Sequence, residues 1–98
     1  MKEITVAELQ ERLNNGETLT LIDVREADEV AEGMIPNAVH IPLGEIAERA
    51  NEFDKSATHI MICRSGGRSG KATEYLTAQG YDVTNMVGGM LAWDGPTE

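Results

Sequence analysis

The feature that most constrains the fold is a short apolar run, Ile60 to Ile62, followed at once by a cysteine and a glycine-rich turn. The run is short and rich in β-branched residues, which predicts a buried strand. After the turn, apolar positions recur at helical spacing from Ala72 onward, which predicts a helix. The stretch 58–76 is therefore predicted to be a strand, a loop and a helix, with Cys63 at the end of the strand.

The cysteine loop, defined here as Arg64-Ser65-Gly66-Gly67-Arg68-Ser69, combines small residues with positive charge. Glycines let a backbone turn tightly and point several N–H groups inward. The following helix adds unpaired N–H groups and the positive end of its dipole. A thiol in such a concave, cationic bowl favours the thiolate, and the bowl suits an anionic group on or near the sulfur.

Cys63 is therefore the candidate nucleophile, and the cysteine loop is the candidate binding site for its substrate. The alternative is that Cys63 is simply a small core residue, as buried cysteines often are. That alternative gives no reason for two arginines and two glycines within the next five positions.

The composition limits the partners. Ninety-eight residues, with 41% hydrophobic and 26% charged side chains, predict a single globular domain over residues 1–98. The net charge of −9 argues against nucleic acid or an anionic membrane as a partner. With one cysteine, no disulfide can form within the chain, and no apolar secretory segment is present at the N-terminus. We expect a cytoplasmic protein, although an exported protein whose signal had been removed would look the same.

Predicted strands and helices alternate along the chain, which is typical of a parallel sheet covered by helices on both faces. Thr5 and Glu8 form a capping-box pattern at the start of the first helix. The predicted strands cover residues 2–4, 19–24, 38–41, 60–62 and 82–87, and the other predicted helices cover 26–32, 43–53, the segment around Ala72 to Leu76, and a short C-terminal segment with Met90 and Trp93.

Three stretches, in order, resemble the sequence signatures of the rhodanese family of sulfurtransferases. They are Asp23-Val24-Arg25 with Glu29 and Gly33–Pro42, then Cys63–Ser69, then Val87–Trp93. The resemblance covers nearly the whole chain. It implies an α/β, rhodanese-like fold, with a small parallel sheet of about five strands flanked by helices on both faces. The chain departs from the family's pattern at Val30, Met34 and Asn37, which lie outside the bowl.

The resemblance also implies a reaction. Cys63 would take a sulfane sulfur from a donor such as thiosulfate, become a persulfide, and pass the terminal sulfur to cyanide, a thiol or a protein acceptor. The N–H groups of the cysteine loop would stabilise the thiolate and then the persulfide anion. No general base, metal or organic cofactor is then expected. In the family, the position of Arg68 directs its guanidinium around or into the bowl, whereas Arg64 either helps to bind the donor or is a solvated surface charge.

Polar residues outside the loop have more than one interpretation. Asp23 and Arg25 follow a predicted strand at its carboxyl end, where ligands bind in open α/β sheets. They either tie the cysteine loop and orient its arginines, or pair with Glu29 and hold the next helix, and the second interpretation is favoured for Arg25. His40 and His59 lack metal-ligand spacing, so that no metal site is predicted.

Two other classes of function are consistent with the same features. One type of dual-specificity phosphatase and the related arsenate reductases share this fold and use a thiolate with an arginine, but their loop has one residue more between the two. The four residues between Cys63 and Arg68 make a smaller bowl, which suits a sulfur atom and is tight for a tetrahedral phosphate. A rhodanese-like module that only binds a partner is the third class, and such modules commonly lack the cysteine.

Overall fold

The computed structural model describes residues 1–98 and contains one sheet of five strands. In chain order the strands are β1 (Glu3–Ile4), β2 (Thr20–Asp23), β3 (Val39–His40), β4 (Thr58–Ile62) and β5 (Asp82–Met86). Across the sheet their order is β1-β5-β4-β2-β3, so β4 is central. All pairings are parallel, which confirms the predicted α/β fold class. The carboxyl ends of the strands therefore share one edge of the sheet, where ligands bind in open parallel sheets.

Four α-helices connect and flank the strands: α1 (Val6–Asn14), α2 (Ala27–Val30), α3 (Gly67–Ala78) and α4 (Gly89–Ala92). The predicted capping box of α1 is confirmed. The Glu8 amide donates to the Thr5 hydroxyl at 3.1 Å, and the Thr5 amide donates to the Glu8 carboxylate at 3.0 Å. None of these helices has the length and apolar character that crossing a bilayer requires.

The predicted helix over residues 43–53 is wrong. The segment forms two short 3-10 helices, Leu43–Glu45 and Ala50–Glu52. It buries only two apolar side chains, Ile46 and Phe53, which separate turns can place without a continuous helical stripe. Gly44 and Asn51 also weaken helix propensity within the segment.

The core lies on both faces of the sheet because successive residues of β4 point in opposite directions. Ile60 and Ile62 pack into a cluster with Leu9 of α1 on one face. Met61 and Cys63 pack into a cluster with α3 on the other face. Cys63 is therefore held at the end of the central strand, on the face that α3 covers.

Candidate active site

Cys63 directly follows β4, and the cysteine loop folds over its sulfur. The Gly66 amide donates a hydrogen bond to Cys63 Sγ at 3.0 Å, and the Ser69 hydroxyl lies 3.3 Å from the same atom. Cys63 exposes only 1% of its surface. The residue is therefore buried, as a core cysteine would be, but polar donors face its sulfur, which a purely apolar core position would not provide.

These donors determine the protonation of the thiol. Burial acts first and by itself raises the pKa of Cys63, because a buried thiolate loses its hydration. The Ser69 hydroxyl and the amides of Ser69, Gly66 and Ser65 oppose this by hydrogen bonding to the sulfur. The hydrogen bonds prevail, so that the pKa of Cys63 lies below its ordinary value. The site therefore favours the thiolate, which is the nucleophilic form.

Gly66 gives the cysteine loop its shape. Its φ of +104° lies in the left-handed region, which residues with a side chain rarely adopt. A Cβ at this position would also approach the Gly88 backbone nitrogen to 3.4 Å. This conformation turns the Gly66 amide toward the sulfur immediately before α3 begins at Gly67. The positive end of a helix of twelve residues consequently lies beside Cys63.

The start of α4 supports the beginning of the loop. The amides of Met90 and Leu91 donate to the carbonyl oxygens of Cys63 and Arg64, each at 2.9 Å. Gly89 has a φ of +58°, and a Cβ there would overlap the backbone of Cys63 and Arg64. Glycine at position 89 is thus explained by the close approach of one backbone segment to another, whereas Gly88, with a φ of +86°, leaves room for the Ala92 side chain, which a Cβ there would approach to 2.9 Å.

Arg68 is the second residue of α3, and it is paired. Its guanidinium donates to both carboxylate oxygens of Glu29, at 2.6 and 2.7 Å. These bonds, followed by the Glu26 amide, lower the pKa of Glu29 to about 2. No hydrogen bond joins Arg68 to Cys63, although the negative charge of the sulfur contributes to raising the pKa of Arg68 after the larger effect of Glu29. Arg68 therefore lies at the side of the bowl, held by α2.

Asp23 and Arg25 form a buried ion pair that holds α2. The Arg25 guanidinium donates to both Asp23 carboxylate oxygens at 2.8 to 3.1 Å and to the Gly33 carbonyl at 2.8 Å. It also reaches the backbone carbonyl of Glu29 at 3.4 Å, whereas the Glu29 carboxylate pairs with Arg68. No hydrogen bond joins the pair to the cysteine loop. Their role is to fix α2, which in turn presents Glu29.

The rest of the loop is open to solvent. Arg64, Ser65 and Gly67 are exposed, and Arg64 takes part in none of the ion pairs of the chain. The two histidines form no hydrogen bond with the cysteine loop. His40 Nε2 is 2.7 Å from the Arg25 carbonyl oxygen, and Nε2 of the buried His59 accepts a hydrogen bond from the Asp54 amide. No three metal-ligating side chains converge anywhere in the chain.

Asn85 also lies at this site, although no motif in the sequence indicates it. Its Nδ2 donates to the Gly66 carbonyl at 3.1 Å, and its Oδ1 lies 2.5 Å from the Ser69 hydroxyl. It is buried near the carboxyl end of β5. The only signal in the sequence is an amide side chain close to the carboxyl end of a predicted strand, a position where ligand-binding groups gather. Glu29 was noticed as part of a signature, but not as the partner of Arg68.

The one sizeable cavity lies away from this site. It has a volume of about 340 Å³ and is bounded by the end of α1, the turn at Pro36 and Asn37, and Trp93. No residue of the cysteine loop lines it. This cavity is therefore separate from the surroundings of Cys63.

Comparison with known proteins agrees with the fold. Residues 5–95 match the family model described as "Rhodanese-like domain". The Bacillus subtilis protein YtwF is 51% identical over 98 residues, which are 100% of this chain and 95% of that protein. A protein of Allochromatium vinosum named "Sulfurtransferase" is 42% identical over 94 residues, 95% of this chain and 88% of that protein.

A solved structure leads to the same family. The crystal structure of a rhodanese-like domain protein from Staphylococcus aureus superposes with a TM-score of 0.95 at 42% identity. The match covers 100% of this chain and 97% of that one. This chain therefore belongs to the rhodanese-like domain family of sulfurtransferases, as its three signature stretches predicted.

Proposed function

We propose that this protein is a thiosulfate sulfurtransferase that carries a sulfane sulfur on Cys63. The observation that supports this most directly is the hydrogen bonding around Cys63 Sγ, which faces the Gly66 amide at 3.0 Å and the Ser69 hydroxyl at 3.3 Å. Donors aimed at one atom stabilise negative charge on it. The thiolate that attacks the donor needs such an environment, because its negative charge lies on Sγ.

The reaction has two displacement steps. In the first, the Cys63 thiolate attacks the outer sulfur of thiosulfate, a new S–S bond forms, and sulfite leaves with the electron pair of the old bond. In the second, a nucleophile attacks the outer sulfur of the persulfide, and the electron pair returns to Cys63 Sγ as a thiolate. Cyanide gives thiocyanate in this step, whereas a thiol or a protein acceptor becomes a persulfide. No proton, metal or organic cofactor is needed for either displacement.

The cysteine loop supplies the binding groups. The amides of Ser65, Gly66 and Ser69 act on the sulfur and form its anion-binding wall. Arg64 is exposed and forms no ion pair within the chain, so we assign it to the anionic end of the donor. Gly67 contributes the start of α3, while Arg68 contributes a fixed positive charge from its place beside Glu29.

A thiolate without a second cysteine in the chain suits a reducing compartment, and we propose that the protein acts in the cytoplasm. The acceptor there is a thiol or a thiol-bearing protein. A stable persulfide with slow turnover on small acceptors would indicate a protein acceptor, and fast turnover would indicate a small thiol.

The function is tested by intact-mass measurement after incubation with thiosulfate and removal of the excess. The wild type is expected to gain the mass of one sulfur atom and to lose it again when cyanide is added, with release of thiocyanate. Cys63→Ser should fold and gain no mass, whereas Ser56→Ala, which changes an exposed hydroxyl far from the loop, should behave as the wild type. Absence of the added sulfur in the wild type, or its presence in Cys63→Ser, would overturn the proposal.

The same protein samples can be used to test for phosphatase activity. Arg68 is bound to Glu29 through both of its terminal nitrogens, so it is not free to clamp a phosphate. We expect no hydrolysis of an aryl phosphate under conditions in which thiocyanate is released. Hydrolysis without thiocyanate release would place the chain with the phosphatases instead.

A further inference from the structure

The Ser69 hydroxyl has two acceptors within reach and only one proton to donate. Its Oγ lies 2.5 Å from Asn85 Oδ1 and 3.3 Å from Cys63 Sγ. A serine hydroxyl donates one hydrogen bond at a time and can accept others. The shorter contact takes the proton, so Ser69 donates to Asn85 and turns a lone pair toward the sulfur. When Cys63 is a neutral thiol, its S–H group can then donate a hydrogen bond to Ser69 Oγ.

The orientation of Asn85 is fixed by its other contact. Asn85 Nδ2 donates to the Gly66 carbonyl at 3.1 Å. Exchanging the two ends of the amide would bring its oxygen against the Gly66 carbonyl oxygen, which is repulsive. Asn85 Oδ1 must therefore face Ser69. Asn85 exposes only 4% of its surface, so that bulk water competes little for either bond.

One side chain of β5 consequently controls two donors of the cysteine bowl. Gly66, whose carbonyl Asn85 holds, gives its own amide to the sulfur. Ser69, whose hydroxyl Asn85 binds, is the other hydrogen-bonding group within 3.3 Å of the sulfur. Ser69 and Gly66 have no such tie to any other side chain of the sheet.

We propose that Asn85 is a positioning residue that holds the Ser69 hydroxyl while Cys63 is neutral and releases it when negative charge appears on Cys63 Sγ. An anionic sulfur is a stronger acceptor than a neutral amide oxygen, so the hydroxyl hydrogen rotates toward it. Only that hydrogen has to move, because Asn85 keeps Gly66 in place throughout. This inference rests on the proposed function, in which Cys63 Sγ alternates between a thiolate and the neutral inner sulfur of a persulfide.

The proposal predicts an unusual sign for the effect of removing Asn85. In Asn85→Ala, the Ser69 hydroxyl has no competing acceptor and is free to serve the thiolate, which lowers the pKa of Cys63. In the Ser69→Ala background this contribution is absent, and Asn85→Ala can only loosen Gly66, which raises the pKa. A merely structural Asn85 would loosen the bowl equally in both backgrounds.

The test is the pH dependence of Cys63 alkylation by iodoacetamide in the wild type, Asn85→Ala, Ser69→Ala and the double variant. The shift caused by Asn85→Ala is expected to be more negative with Ser69 present than without it, by about 0.5 pKa unit or more. Equal shifts in the two backgrounds would overturn the proposal. Thr73→Val is the matched control, because Thr73 Oγ1 is buried and bonds the Ser69 carbonyl at 2.7 Å without touching the sulfur. It should leave the alkylation profile unchanged.

A second measurement uses the wild type alone and holds if Asn85→Ala fails to fold. The side-chain amide resonances of Asn85 are followed by NMR across the titration of Cys63. They should shift with the same midpoint as the thiol, because Oδ1 loses its hydrogen bond as the thiolate forms, and the shift should largely vanish in Ser69→Ala. Resonances that ignore the thiol titration would contradict the proposal. Neither measurement needs a sulfur donor, so their outcome is separate from that of the thiosulfate experiment.

Discussion

Two neighbouring strands, β2 and β4, both end in polar residues at the same edge of the sheet, but they end differently. After β2, the charges of Asp23 and Arg25 are buried and satisfied by each other and by backbone carbonyls. After β4, the donors of Gly66 and Ser69 face a single atom, the sulfur of Cys63. The comparison shows that polar groups at two neighbouring strand ends differ in what they can do: the buried ion pair satisfies itself, whereas donors that converge on one atom can stabilise negative charge on it.

Disrupting the Asp23–Arg25 ion pair after β2 should have the largest effect on stability and little effect on the pKa of the Cys63 thiol. Asp23→Asn leaves the guanidinium of Arg25 buried without its counter-charge, which we expect to cost about 3 to 5 kcal/mol of the free energy of unfolding. Urea unfolding measures the loss. The alkylation profile of Cys63 in the folded variant should match the wild type, since Asp23 forms no bond with the cysteine loop. A shifted profile at full folding would show that the two strand ends are coupled.

Gly89→Ala should disturb the start of the cysteine loop, after β4, by displacing the loop backbone. A Cβ at Gly89 would overlap the carbonyls of Cys63 and Arg64, so the start of the loop has to move. We expect a loss of about 1 to 3 kcal/mol in unfolding free energy, together with a loss of thiocyanate release well beyond that of the matched control. The control is Gly44→Ala, because a Cβ at Gly44 meets no atom within 4 Å. Equal activity in the two variants would remove α4 from the support of the loop.

Arg68→Ala tests how strongly the charge of Arg68, at the side of the bowl, affects the pKa of Cys63. Arg68 is bonded to Glu29 and acts on the sulfur only through its charge. The pKa of Cys63 is therefore expected to rise by less than about one unit, and donor use should weaken modestly. Arg64→Ala is the comparison, since Arg64 is the exposed arginine assigned to the donor. It should raise the KM for thiosulfate more than it shifts the thiol. An unchanged alkylation profile in Arg68→Ala would remove Arg68 from the role assigned to it.

The smallest expected effect concerns the pH dependence of stability. The Arg68 bonds lower the pKa of Glu29 to about 2, so this pair stabilises the fold above the ordinary pKa of a glutamate. Its contribution is lost as the pH falls toward about 2. The pair is partly exposed, and the effect should be about 1 kcal/mol or less. Unfolding free energies of the wild type and Glu29→Gln should differ at neutral pH and converge in acid, and a constant difference would contradict the account.

Local pattern was sufficient to predict the elements that position the thiol. Ile60 to Ile62 predicted β4, the glycines after Cys63 predicted the turn, and Thr5 with Glu8 predicted the start of α1. The wrong prediction over residues 43–53 has a local cause as well, because Ile46 and Ala50 stand four positions apart, as on one face of a helix, but the segment forms two short 3-10 helices. Helices and strands could be predicted where residue composition and hydrophobic periodicity indicate the same element.

The ties between distant segments could not be predicted in this way. Glu29 and Arg68 are separated by 39 positions, and Ser69 and Asn85 by 16. Which side chains meet depends on how the strands are ordered in the sheet and on the direction in which each side chain leaves its backbone. The sequence therefore predicted where Cys63 and its loop lie in the fold, but not the residues that hold the loop in place.

The most direct test of the central claim is the pKa of the Cys63 thiol, measured by the thiolate absorbance in the ultraviolet across a pH titration of the folded wild type. Hydrogen bonds from Ser69, Gly66 and Ser65 prevail over burial, so the midpoint should lie below that of an unperturbed cysteine. Ser69→Ala should raise it. A wild-type midpoint at or above that of a free cysteine would show that the amides do not hold an anion, and that Cys63 is a buried core residue after all.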